Sequence, residues 1–594
     1  MPRLLRHLDT LVCNAFEKAG LDRDLGKVSY SSRMDLCQFQ CNGAMAAGKR
    51  QKKNPRDVAT SVATLLQAEA CFSKVEVAGP GFINLTLTDD FLTELVAGMS
   101  KDSRLGCPKD TNPERVIIDY GGANIAKPLH VGHLRSGIIG ECLKRLARFL
   151  GHDVKGDVHL GDWGLQMGMV IYEIQCRKPD LPYFDASGRG PFPAASPVSI
   201  ADLEDIYPAI ASRAKADESV MDACRKATAE LQKGHPGYRA LWQHIYNVSV
   251  EDLKDGYGQL KIEFDLWLGE SDTRDIIPGL IKDLQAAKHA VESEGALVVE
   301  VAKDGEDNPM PPLLLTKSDG AVLYGTTDLA TISQRTRDYD PHLILYVVDR
   351  RQHVHFDQVF RAARKTGIAR DHLKLEHIGF GTMNGKEGKP FKTRAGGVMK
   401  LKDLIQMVTE KATERLKENV SDRQTDKDLT ADEHLAEIAR MVGVATLKYA
   451  DLNNHPATDY IFDLDRFSSF DGRTGPYQLY SAVRIKSILT KAREQNITAS
   501  TLLPPQDQSE RALLLKLAEF PDVVNQAYDL RAPNLLCEFC FALGAAFNMF
   551  YHEHHILREA DKGRQGSWLT LSQTTLATLV LVLDILGIET PERM

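Results

Sequence analysis

The alternation of apolar and polar positions changes character twice along the chain. Up to about Cys107, an amphipathic helical pattern is followed by AGPGFINLTL at 78–87, a turn-rich strand signal. Strand and helix patterns then alternate to about residue 455, and from 456 onwards only helical periodicity remains. The pattern predicts an N-terminal α+β module (1–107), an α/β domain (108–455) and a C-terminal all-α domain (456–594).

The α/β domain carries the signals of a doubly wound parallel sheet with helices on both faces. Buried strands are predicted at three apolar runs: RVIIDY (115–120), LILYVVD (343–349) and LEHIGFGTM (375–383). The segment 133–151 has apolar residues on a helical period, and Gly151 is placed to end the helix. A mostly helical insertion, from about 176 to 264, interrupts the alternation and opens with a Pro- and Gly-rich stretch.

Composition limits the classes of protein to which the chain can belong. The 594 residues include 73 Lys and Arg against 81 Asp and Glu, a net charge of −8, which argues against indiscriminate coating of nucleic acid. Ten scattered cysteines are too few for a disulfide scaffold, and the N-terminus lacks an export signal. The longest apolar stretch, 576–588, is interrupted by Asp584 and is shorter than a membrane span. We expect a soluble, cytoplasmic monomer without membrane contact.

The first module contains a basic cluster that stands out in an acidic chain. It is formed by Lys49, Arg50, Lys52, Lys53 and Arg56. A run of charge is usually a solvated surface, and contact with nucleic acid is the competing interpretation.

The segment most informative about chemistry is ANIAKPLHVGH, Ala123 to His133, between the first core strand and its helix. In a doubly wound sheet, ligands bind at the carboxyl ends of strands, where helix N-termini offer unpaired N–H groups to anions. His130 and His133 are spaced to project toward one another, and Gly132 leaves room for a flat ring. These features predict a phosphate and adenine pocket. Taken alone, the two histidines also fit a metal half-site or a pair of surface residues.

In its wider context, DYGGANIAKPLHVGHLRS (119–136) resembles the HIGH signature of class I aminoacyl-tRNA synthetases, and that of arginyl-tRNA synthetases in particular. Further blocks similar to this family cover nearly the whole chain: AGPGFINL (78–85), LGDWGLQMG (160–168), WLGES (267–271), LYGTTDLAT (323–331), YVVDRRQHVH (346–355), DGRTGPYQLYSAVRI (471–485) and ETPERM (589–594). The resemblance implies a Rossmann-like catalytic core. It also implies a ligase that converts L-arginine and ATP to arginyl-adenylate and pyrophosphate, then transfers arginine to the 3′-terminal adenosine of tRNA(Arg).

The resemblance also implies a set of site residues. ATP, accompanied by Mg²⁺, would contact Lys127, His130, Gly132, His133, Gly161 and Asp162. Arginine would be held by Asn124, Glu270, Tyr324, Asp328 and Gln352. A guanidinium calls for a carboxylate beside an aromatic or amide wall, and Asp328 would share a face with Tyr324 if the segment is helical. Without the family match, Asp328 would be interpreted as a helix-start carboxylate or a surface charge.

Contacts with tRNA would lie outside the α/β domain. By resemblance, the helical tail would read the anticodon, and the first module would contact the outer corner of the tRNA. The candidates there are Asn84 and the basic residues Lys49, Arg50, Lys52 and Lys53.

One family feature is missing from the sequence. The lysine-rich KMSK loop should lie at about 385–400, within GKEGKPFKTRAGGVMKL, and no KMSK occurs there. A cation must still stabilise the charge on the transferred phosphate, because electrostatic stabilisation is usually the largest catalytic effect. Lys127 is the first candidate, followed by Lys392 and Arg394.

A second pattern resembles a zinc finger. Cys537 and Cys540 precede His552, His554 and His555, but the intervening FALGAAFNMFY is continuously apolar and the histidines are too close together. We predict a core helix with buried thiols and no structural zinc.

Two other functions stay open on the sequence. One is another HxGH enzyme, either a synthetase for a different amino acid or a small adenylyltransferase, although the latter would not need the two flanking modules. The other is a non-catalytic RNA-binding relative that kept the fold. The missing KMSK favours such a relative, whereas intact His130, His133, Asn124 and Asp328 favour an enzyme.

Overall fold

The structure is a computed structural model that describes residues 3–33, 36–185, 190–317, 322–389, 399–422 and 432–594. Contacts between residues divide the chain into two compact units. The terminal unit comprises residues 1–109, 470–585 and 589–594, and the central unit comprises 110–469 and 586–588.

The N-terminal part of the terminal unit is an α+β module. Its helices are α1 (Leu4–Lys18), α2 (Gly43–Gln51), α3 (Pro55–Leu66) and α4 (Asp89–Met99), and its strands are β1 (Val28–Tyr30), β2 (Phe39–Cys41), β3 (Phe72–Ala78) and β4 (Phe82–Leu87). The strands pair antiparallel in the order β1-β2-β4-β3. The strand predicted from AGPGFINLTL is β4, at the centre of this sheet beside β2.

The central unit is built from alternating strands and helices. Its strands are β5 (Arg115–Asp119), β6 (Asp153–Asp157), β7 (Ala290–Ser293), β8 (Ala296–Val299), β9 (Leu313–Thr316), β10 (Leu343–Asp349), β11 (Lys374–Phe380), β12 (Met383–Asn384) and β13 (Tyr460–Ile461). Its helices are α5 (Val131–Leu150), α6 (Leu165–Arg177), α7 (Ile200–Ala216), α8 (Glu218–Lys233), α9 (Pro236–Gln259), α10 (Ile277–Ala286), α11 (Tyr324–Tyr339), α12 (His353–Lys365), α13 (Leu401–Asp422), α14 (Asp432–Leu452) and α15 (Leu464–Phe467).

The central sheet confirms the predicted doubly wound arrangement. Four strands pair in parallel in the order β6-β5-β10-β11. The chain moves outward from β5 to β6 through α5, and in the opposite direction from β10 to β11 through α12. Right-handed crossovers that run in opposite directions place their helices on opposite faces. The strand order reverses between β5 and β10, which is where a ligand crevice is expected.

The insertion in the central unit is helical, as predicted, and consists of α7, α8 and α9. The sequence did not reveal a second sheet, β7-β8-β9, which is antiparallel. Its apolar residues join a core cluster with α11, α12 and the central strands, including Leu315, Leu329, Ile344 and Phe356. This small sheet therefore covers part of the central sheet and supports α11.

A buried arginine connects α11 to two strands of the central sheet. Arg335 is fully buried, and its Nη2 donates to Asp119 Oδ2 and to Asp157 Oδ2, both at 2.6 Å. Asp119 and Asp157 are the last residues of β5 and β6, and both are buried. The C-terminal half of α11 is thereby tied to the carboxyl ends of β5 and β6.

The C-terminal part of the terminal unit is the predicted all-helical bundle. Its helices are α16 (Gly475–Glu494), α17 (Gln508–Ala518), α18 (Phe520–Asp529), α19 (Asn534–Glu553) and α20 (Lys562–Ile585). Two helical segments, 534–558 and 562–585, are long and apolar enough to cross a membrane by length and composition alone. Both pack on other helices of the bundle, α19 against α17, α18 and α20, as core helices do.

The N-terminal module and the helical bundle are packed into one unit by specific polar contacts. Arg511 Nε donates to Asp89 Oδ1 at 2.6 Å, which joins α17 to α4. Asp522 Oδ2 accepts hydrogen bonds from the Leu5 amide at 3.0 Å and from the Tyr30 hydroxyl at 3.1 Å. The two ends of the chain, treated as separate modules on sequence grounds, thus share one compact unit.

The zinc-finger-like segment forms helix α19, as predicted. Cys537 and Cys540 are fully buried, and burial raises the pKa of Cys540 to about 12. His554 points elsewhere: its Nε2 lies 2.9 Å from Asp507 Oδ2, and its ring packs on Trp568.

We predict that Arg335→Met lowers the free energy of unfolding of the central unit by about 3–5 kcal/mol, because two buried carboxylates lose their cation. Arg337→Met on the same helix is the control, since the Arg337–Asp338 pair is exposed and its loss should cost less than about 1 kcal/mol. Thermal melting of both variants checks this. Equal melting temperatures would contradict the role of Arg335.

Candidate active site

Helix α5 begins with two histidines that accept hydrogen bonds from the backbone. His130 precedes the helix, and its Nδ1 accepts from the Gly132 amide at 3.0 Å. His133 Nδ1 accepts from the His130 amide at 3.1 Å, and the ring centroids are 3.9 Å apart. A Cβ on residue 132 would lie 2.7 Å from His130 Cε1, so the glycine makes this packing possible.

Both histidines are neutral near pH 7. Burial lowers the pKa of His133 to about 3, with a further contribution from His130. Burial and then the charge of Lys127 lower the pKa of His130. Because each Nδ1 accepts a backbone N–H, the remaining proton of each ring must sit on Nε2. The helix start therefore presents two fixed Nε2–H donors.

The loops that follow β5 and β6 are paired at Asn124 and Gly161, which form a parallel bridge. The Gly161 amide donates to the Ala123 carbonyl at 3.0 Å, and the Ile125 amide donates to the Gly161 carbonyl at 3.2 Å. A Cβ on residue 161 would lie 2.1 Å from Asn124 Oδ1. Gly161 thus leaves room for the side chain of Asn124.

Asp162 anchors the turn that carries Glu270. Its carboxylate is fully buried and accepts from the Ser271 amide at 3.0 Å and from the Ser271 hydroxyl at 2.6 Å. Burial raises the pKa of Asp162 to about 6. A Cβ on Gly269 would lie 2.7 Å from the Asp162 carboxylate, which explains the glycine before Glu270. Asp162 therefore positions Glu270 from within the protein.

Glu270 is a second carboxylate with a raised pKa at this edge of the sheet. It begins a short 3₁₀ helix, Glu270–Thr273, and its amide donates to the Leu160 carbonyl at 3.0 Å. Burial raises the pKa of Glu270 to about 7, against a lowering effect of His159, and the charges of Asp162 and Asp328 add to the increase. The charge of Asp328 thus acts on Glu270.

Asp328 is paired with a histidine that the sequence did not identify. His355 Nε2 lies 2.6 Å from Asp328 Oδ2, and this hydrogen bond raises the pKa of His355. Asp328 lies on α11 and His355 on α12, the helix that follows β10. The sequence signal was present, because His355 ends the family-like block YVVDRRQHVH, but nothing in the spacing indicated its partner.

The other two arginine-binding candidates lie at the ends of helices. Tyr324 starts α11 and is 70% exposed; Asp328 is four residues further on, so the predicted helical spacing is confirmed. Partial desolvation of the hydroxyl nevertheless raises the pKa of Tyr324, with a smaller effect of Glu270. Gln352 ends the 3₁₀ turn Arg350–Gln352 after β10 and is exposed.

Lys127 and Lys400, which flank the start of α5, contact the insertion. Lys127 Nζ lies 4.1 Å from the centre of the Tyr207 ring, and Lys400 Nζ lies 2.8 Å from Glu204 Oε2. Lys400 also forms a backbone bridge with His130. The KMSK-like candidates Lys392 and Arg394 lie outside the described residues. Lys386 is paired with Asp463 and Asp465, both at 3.2 Å.

The tRNA-contact candidates of the first module differ in exposure. Asn84 is 8% exposed, and its Oδ1 accepts from Gln40 Nε2 at 2.9 Å. The basic residues Lys49, Arg50, Lys52 and Lys53, at and just after the end of α2, are all exposed. Of these, Arg50 pairs with Asp22.

Comparison with known proteins matches the chain to one family. Residues 94–464 match the family model "tRNA synthetases class I (R), catalytic domain", residues 6–87 match "Arginyl tRNA synthetase N terminal domain", and residues 478–594 match "DALR anticodon binding domain". An arginine–tRNA ligase of Alkaliphilus oremlandii is 50% identical over the full length of both chains. The chain belongs to the class I arginyl-tRNA synthetases. It is therefore a ligase, and the non-catalytic alternative is excluded.

Other relatives of this arginyl-tRNA synthetase agree with the assignment. The arginine–tRNA ligase of Maricaulis maris is 48% identical, again over the whole of both chains. The fold is that of the arginyl-tRNA synthetases of Plasmodium falciparum (TM-score 0.83, 24% identity) and Thermus thermophilus (TM-score 0.79, 22% identity), each compared over 100% of both chains. Members of this family are soluble enzymes, which suits the packed apolar helices of the bundle.

We predict that Gly161→Ala lowers kcat/KM for aminoacylation by about 10- to 100-fold without lowering the melting temperature by more than a few degrees. The new methyl group must displace Asn124 Oδ1 and so misplaces a side chain at the site. Gly279→Ala is the matched control, because a Cβ there meets nothing within 4 Å. Unchanged kinetics of Gly161→Ala would show that Asn124 is not needed.

Proposed function

We propose that this arginine–tRNA ligase activates L-arginine with ATP at the carboxyl end of its parallel sheet, using the site residues predicted from its sequence. The observation that carries the proposal is the convergence of Glu270, Tyr324 and Asp328: the charge of Asp328 contributes to the raised pKa of Glu270, and the charge of Glu270 contributes to that of Tyr324. Carboxylates beside a phenol suit a ligand with an α-amino group at one end and a guanidinium at the other. The paired histidines of α5 supply donors for phosphate.

On the ATP side, His130 and His133 act as hydrogen-bond donors rather than as proton carriers. Their Nε2–H groups would bind phosphate oxygens, and these bonds would strengthen as charge develops in the transition state. Because both rings are neutral and held by backbone N–H groups, little reorganisation is needed. Gly132 and Gly161 leave space along the backbone, Asp162 fixes the turn beneath Glu270, and Lys127 adds positive charge.

On the amino-acid side, Asp328 would receive the guanidinium and Tyr324 would form the wall beside it. His355 holds Asp328 Oδ2, and Oδ1 would receive the guanidinium. Glu270 and Asn124 would bind the α-amino group, and Gln352 would orient the bound amino acid. Lysine lacks the planar fork of the guanidinium and would make fewer bonds with Asp328.

The reaction requires no covalent bond to the protein. A carboxylate oxygen of arginine attacks the α-phosphorus of ATP, the bond to the β,γ-pyrophosphate breaks, and arginyl-adenylate forms. The 2′-hydroxyl of the terminal adenosine then attacks the arginyl carbonyl, loses its proton and releases AMP. Positioning and electrostatic stabilisation are sufficient for both steps.

Mg²⁺ is proposed to arrive with ATP. Among the described residues, the one cluster with the spacing of metal ligands is Asp507, Glu553 and His554, which belongs to the terminal unit. The described residues of the catalytic site thus offer no protein cage, and Mg²⁺ commonly keeps its waters and binds substrate phosphates instead. The ion would neutralise phosphate charge, while the chain holds the nucleotide.

We propose for the three domains the roles that the family resemblance implies. We retain 1–107 as the module that contacts the tRNA corner, 108–455 as the catalytic domain and 456–594 as the anticodon reader. Asn84 and the exposed residues Lys49, Arg50, Lys52 and Lys53 are the proposed contacts of the first module, and Lys392 and Arg394 stay proposed for the KMSK-like loop. On α16 and α19, Asn548 donates to the Tyr477 hydroxyl and accepts from Arg484, which suits contacts with unpaired bases. We propose a cytoplasmic monomer.

We predict that kcat/KM for arginine falls about tenfold per pH unit below pH 7 and levels off between about pH 7 and 8. The pKa of Glu270 in the free enzyme is raised to about 7, and only the carboxylate can bind the α-ammonium group, so activity is lost as the pH falls through this value. Arginine-dependent pyrophosphate exchange, run with tRNA present, measures the profile.

Glu270→Gln is the matched variant for this profile. It should lower kcat/KM for arginine at pH 8 and remove most of the dependence between about pH 6 and 8. An unchanged profile in the variant would show that another group is responsible, and the α-amino group would need a different partner.

We predict that His355→Ala raises KM for arginine about 5- to 20-fold and leaves KM for ATP unchanged, because Asp328 loses the donor that orients it. His355→Gln should recover most of the affinity, since its amide can donate from the position of Nε2. His353→Ala on the same helix, an exposed residue, is the control. If KM for arginine does not change in His355→Ala, the hydrogen bond does not position Asp328.

A further inference from the structure

Two backbone hydrogen bonds join residues 129–131 antiparallel to residues 399–401. An amide of each segment donates to a carbonyl of the other, at 3.1 Å and 2.9 Å. His130 lies between these bonds, opposite Lys400, and its backbone is extended. The backbone that carries the His130 ring is therefore held by residues 399–401.

The side chain of Lys400 ties these paired segments to the helical insertion. Lys400 Nζ donates to Glu204 Oε2 at 2.8 Å, and Glu204 lies on α7. A second carboxylate, Asp252 of α9, is near the same pair. Burial raises the pKa of Asp252, the charge of Glu204 adds to the increase, and the charge of Lys400 acts against it. Lys400 therefore interacts with carboxylates on two helices of the insertion.

Helix α9 also packs directly on the loop that precedes His130. The Ser249 hydroxyl accepts a hydrogen bond from the Ala126 amide at 2.9 Å. A Cβ on Gly256 would lie 3.0 Å from Leu129 Cδ1, so the helix backbone comes close to this loop. The insertion thus contacts the histidine segment directly through α9 and indirectly, by way of Lys400, through α7.

The pair of Glu204 and Lys400 is too exposed to add much to the stability of the fold. The lysine side chain is 44% exposed and the glutamate side chain 30% exposed, and ion pairs of this kind contribute little to the free energy of unfolding. Rates are more sensitive than stability to such a contact, because a displacement of about 1 Å at a reacting group can cost about 100-fold. The effect of the pair is therefore expected in kinetics.

We propose that Glu204 is a positioning residue for arginine activation: through Lys400, it holds residues 399–401 against the segment of His130 and so keeps the Nε2–H donor of His130 in place. Glu204 itself touches neither substrate. The inference rests on the proposed function, in which this donor binds phosphate in the transition state. Since that bond strengthens as charge develops, misplacing the donor should lower kcat and leave KM for ATP nearly unchanged.

Direct binding of phosphate by Lys400 is the competing explanation. Glu204 would then only compensate the charge of the lysine, and its removal would preserve or increase the activity. Removal of Lys400 would lower the activity in both cases. The two explanations therefore differ in what they predict for variants of Glu204.

The test is a double-variant cycle, measured by pyrophosphate exchange with tRNA present. The parent is compared with Glu204→Met, with Lys400→Met and with the combination of both, because methionine keeps a long side chain but forms no ion pair. Lys400→Arg is the conservative variant, which can keep the contact. Asp205→Met is the matched control, since Asp205 lies on the same helix and pairs at 2.6 Å with Arg177 of α6 instead.

We expect each single methionine variant to lower kcat about fivefold and to change KM for ATP and for arginine by less than about twofold. The combined variant should lose no more than either single variant, because both remove the same contact. Lys400→Arg and Asp205→Met should behave as the parent, and all melting temperatures should agree within a few degrees.

Four results would overturn the proposal. They are losses of the two single variants that multiply in the combined one, a Glu204→Met enzyme with the activity of the parent or more, an equal loss in Asp205→Met, and a rise of KM for ATP in place of the fall in kcat.

His130→Ala separates this inference from the proposed function. By itself it should lower kcat about 100-fold, and Glu204→Met added to it should cause little further loss, since the donor to be positioned is gone. If His130→Ala keeps the activity of the parent, the proposed role of His130 is wrong, and the inference is wrong with it. If His130→Ala loses activity and Glu204→Met does not, the role of His130 stands and only this inference is wrong.

Discussion

The catalytic site depends on one buried guanidinium. Arg335 places a single nitrogen 2.6 Å from two carboxylates, and those carboxylates end adjacent strands of the parallel sheet. Burying a cation is costly unless both partners are in position, so the contact tolerates little displacement of α11 relative to β5 and β6. The helix that carries Tyr324 and Asp328 is thereby placed over the loops that carry Asn124 and Gly161. Apolar residues in place of all three charged side chains could stabilise the core as well, but they would not define this register.

The loops that follow the strands pair with one another as short extensions of the sheet. Asn124 pairs with Gly161, and Leu160 pairs with Gly269. The second of these bridges joins loops that are more than a hundred residues apart in sequence, and the buried Asp162 holds the later loop through Ser271. The side chains of the site are consequently held by backbone contacts before any substrate binds. Such preorganisation is what allows neutral histidines and fixed carboxylates to act without proton transfer.

Local patterns predicted the elements better than the contacts between them. The apolar runs at β5, β10 and β11 and the helical period of α5 were sufficient to predict the doubly wound sheet. Family-like blocks selected Glu270 and Asp328. The sequence did not predict the partner of Asp328, because α11 and α12 meet only in the folded chain. It did not predict the β7-β8-β9 sheet, because each of its strands is only four residues long. The sequence also did not predict that the two ends of the chain share one unit, because their contacts join distant residues: Asp89 and Arg511 are 422 residues apart.

The contacts of α7 help to identify the cation that would take the place of the missing KMSK lysine. Glu204 and Tyr207 lie one helical turn apart on α7, and each holds a lysine of the nucleotide side. Lys400 is paired with a carboxylate at 2.8 Å, so its charge is largely compensated. Lys127 faces an aromatic ring, which attracts a cation more weakly than a carboxylate does and does not neutralise it. Its charge also lowers the pKa of His130, which places its field at the proposed phosphate donors. Of the two lysines, Lys127 is therefore the one whose charge is available to a phosphate beside α5.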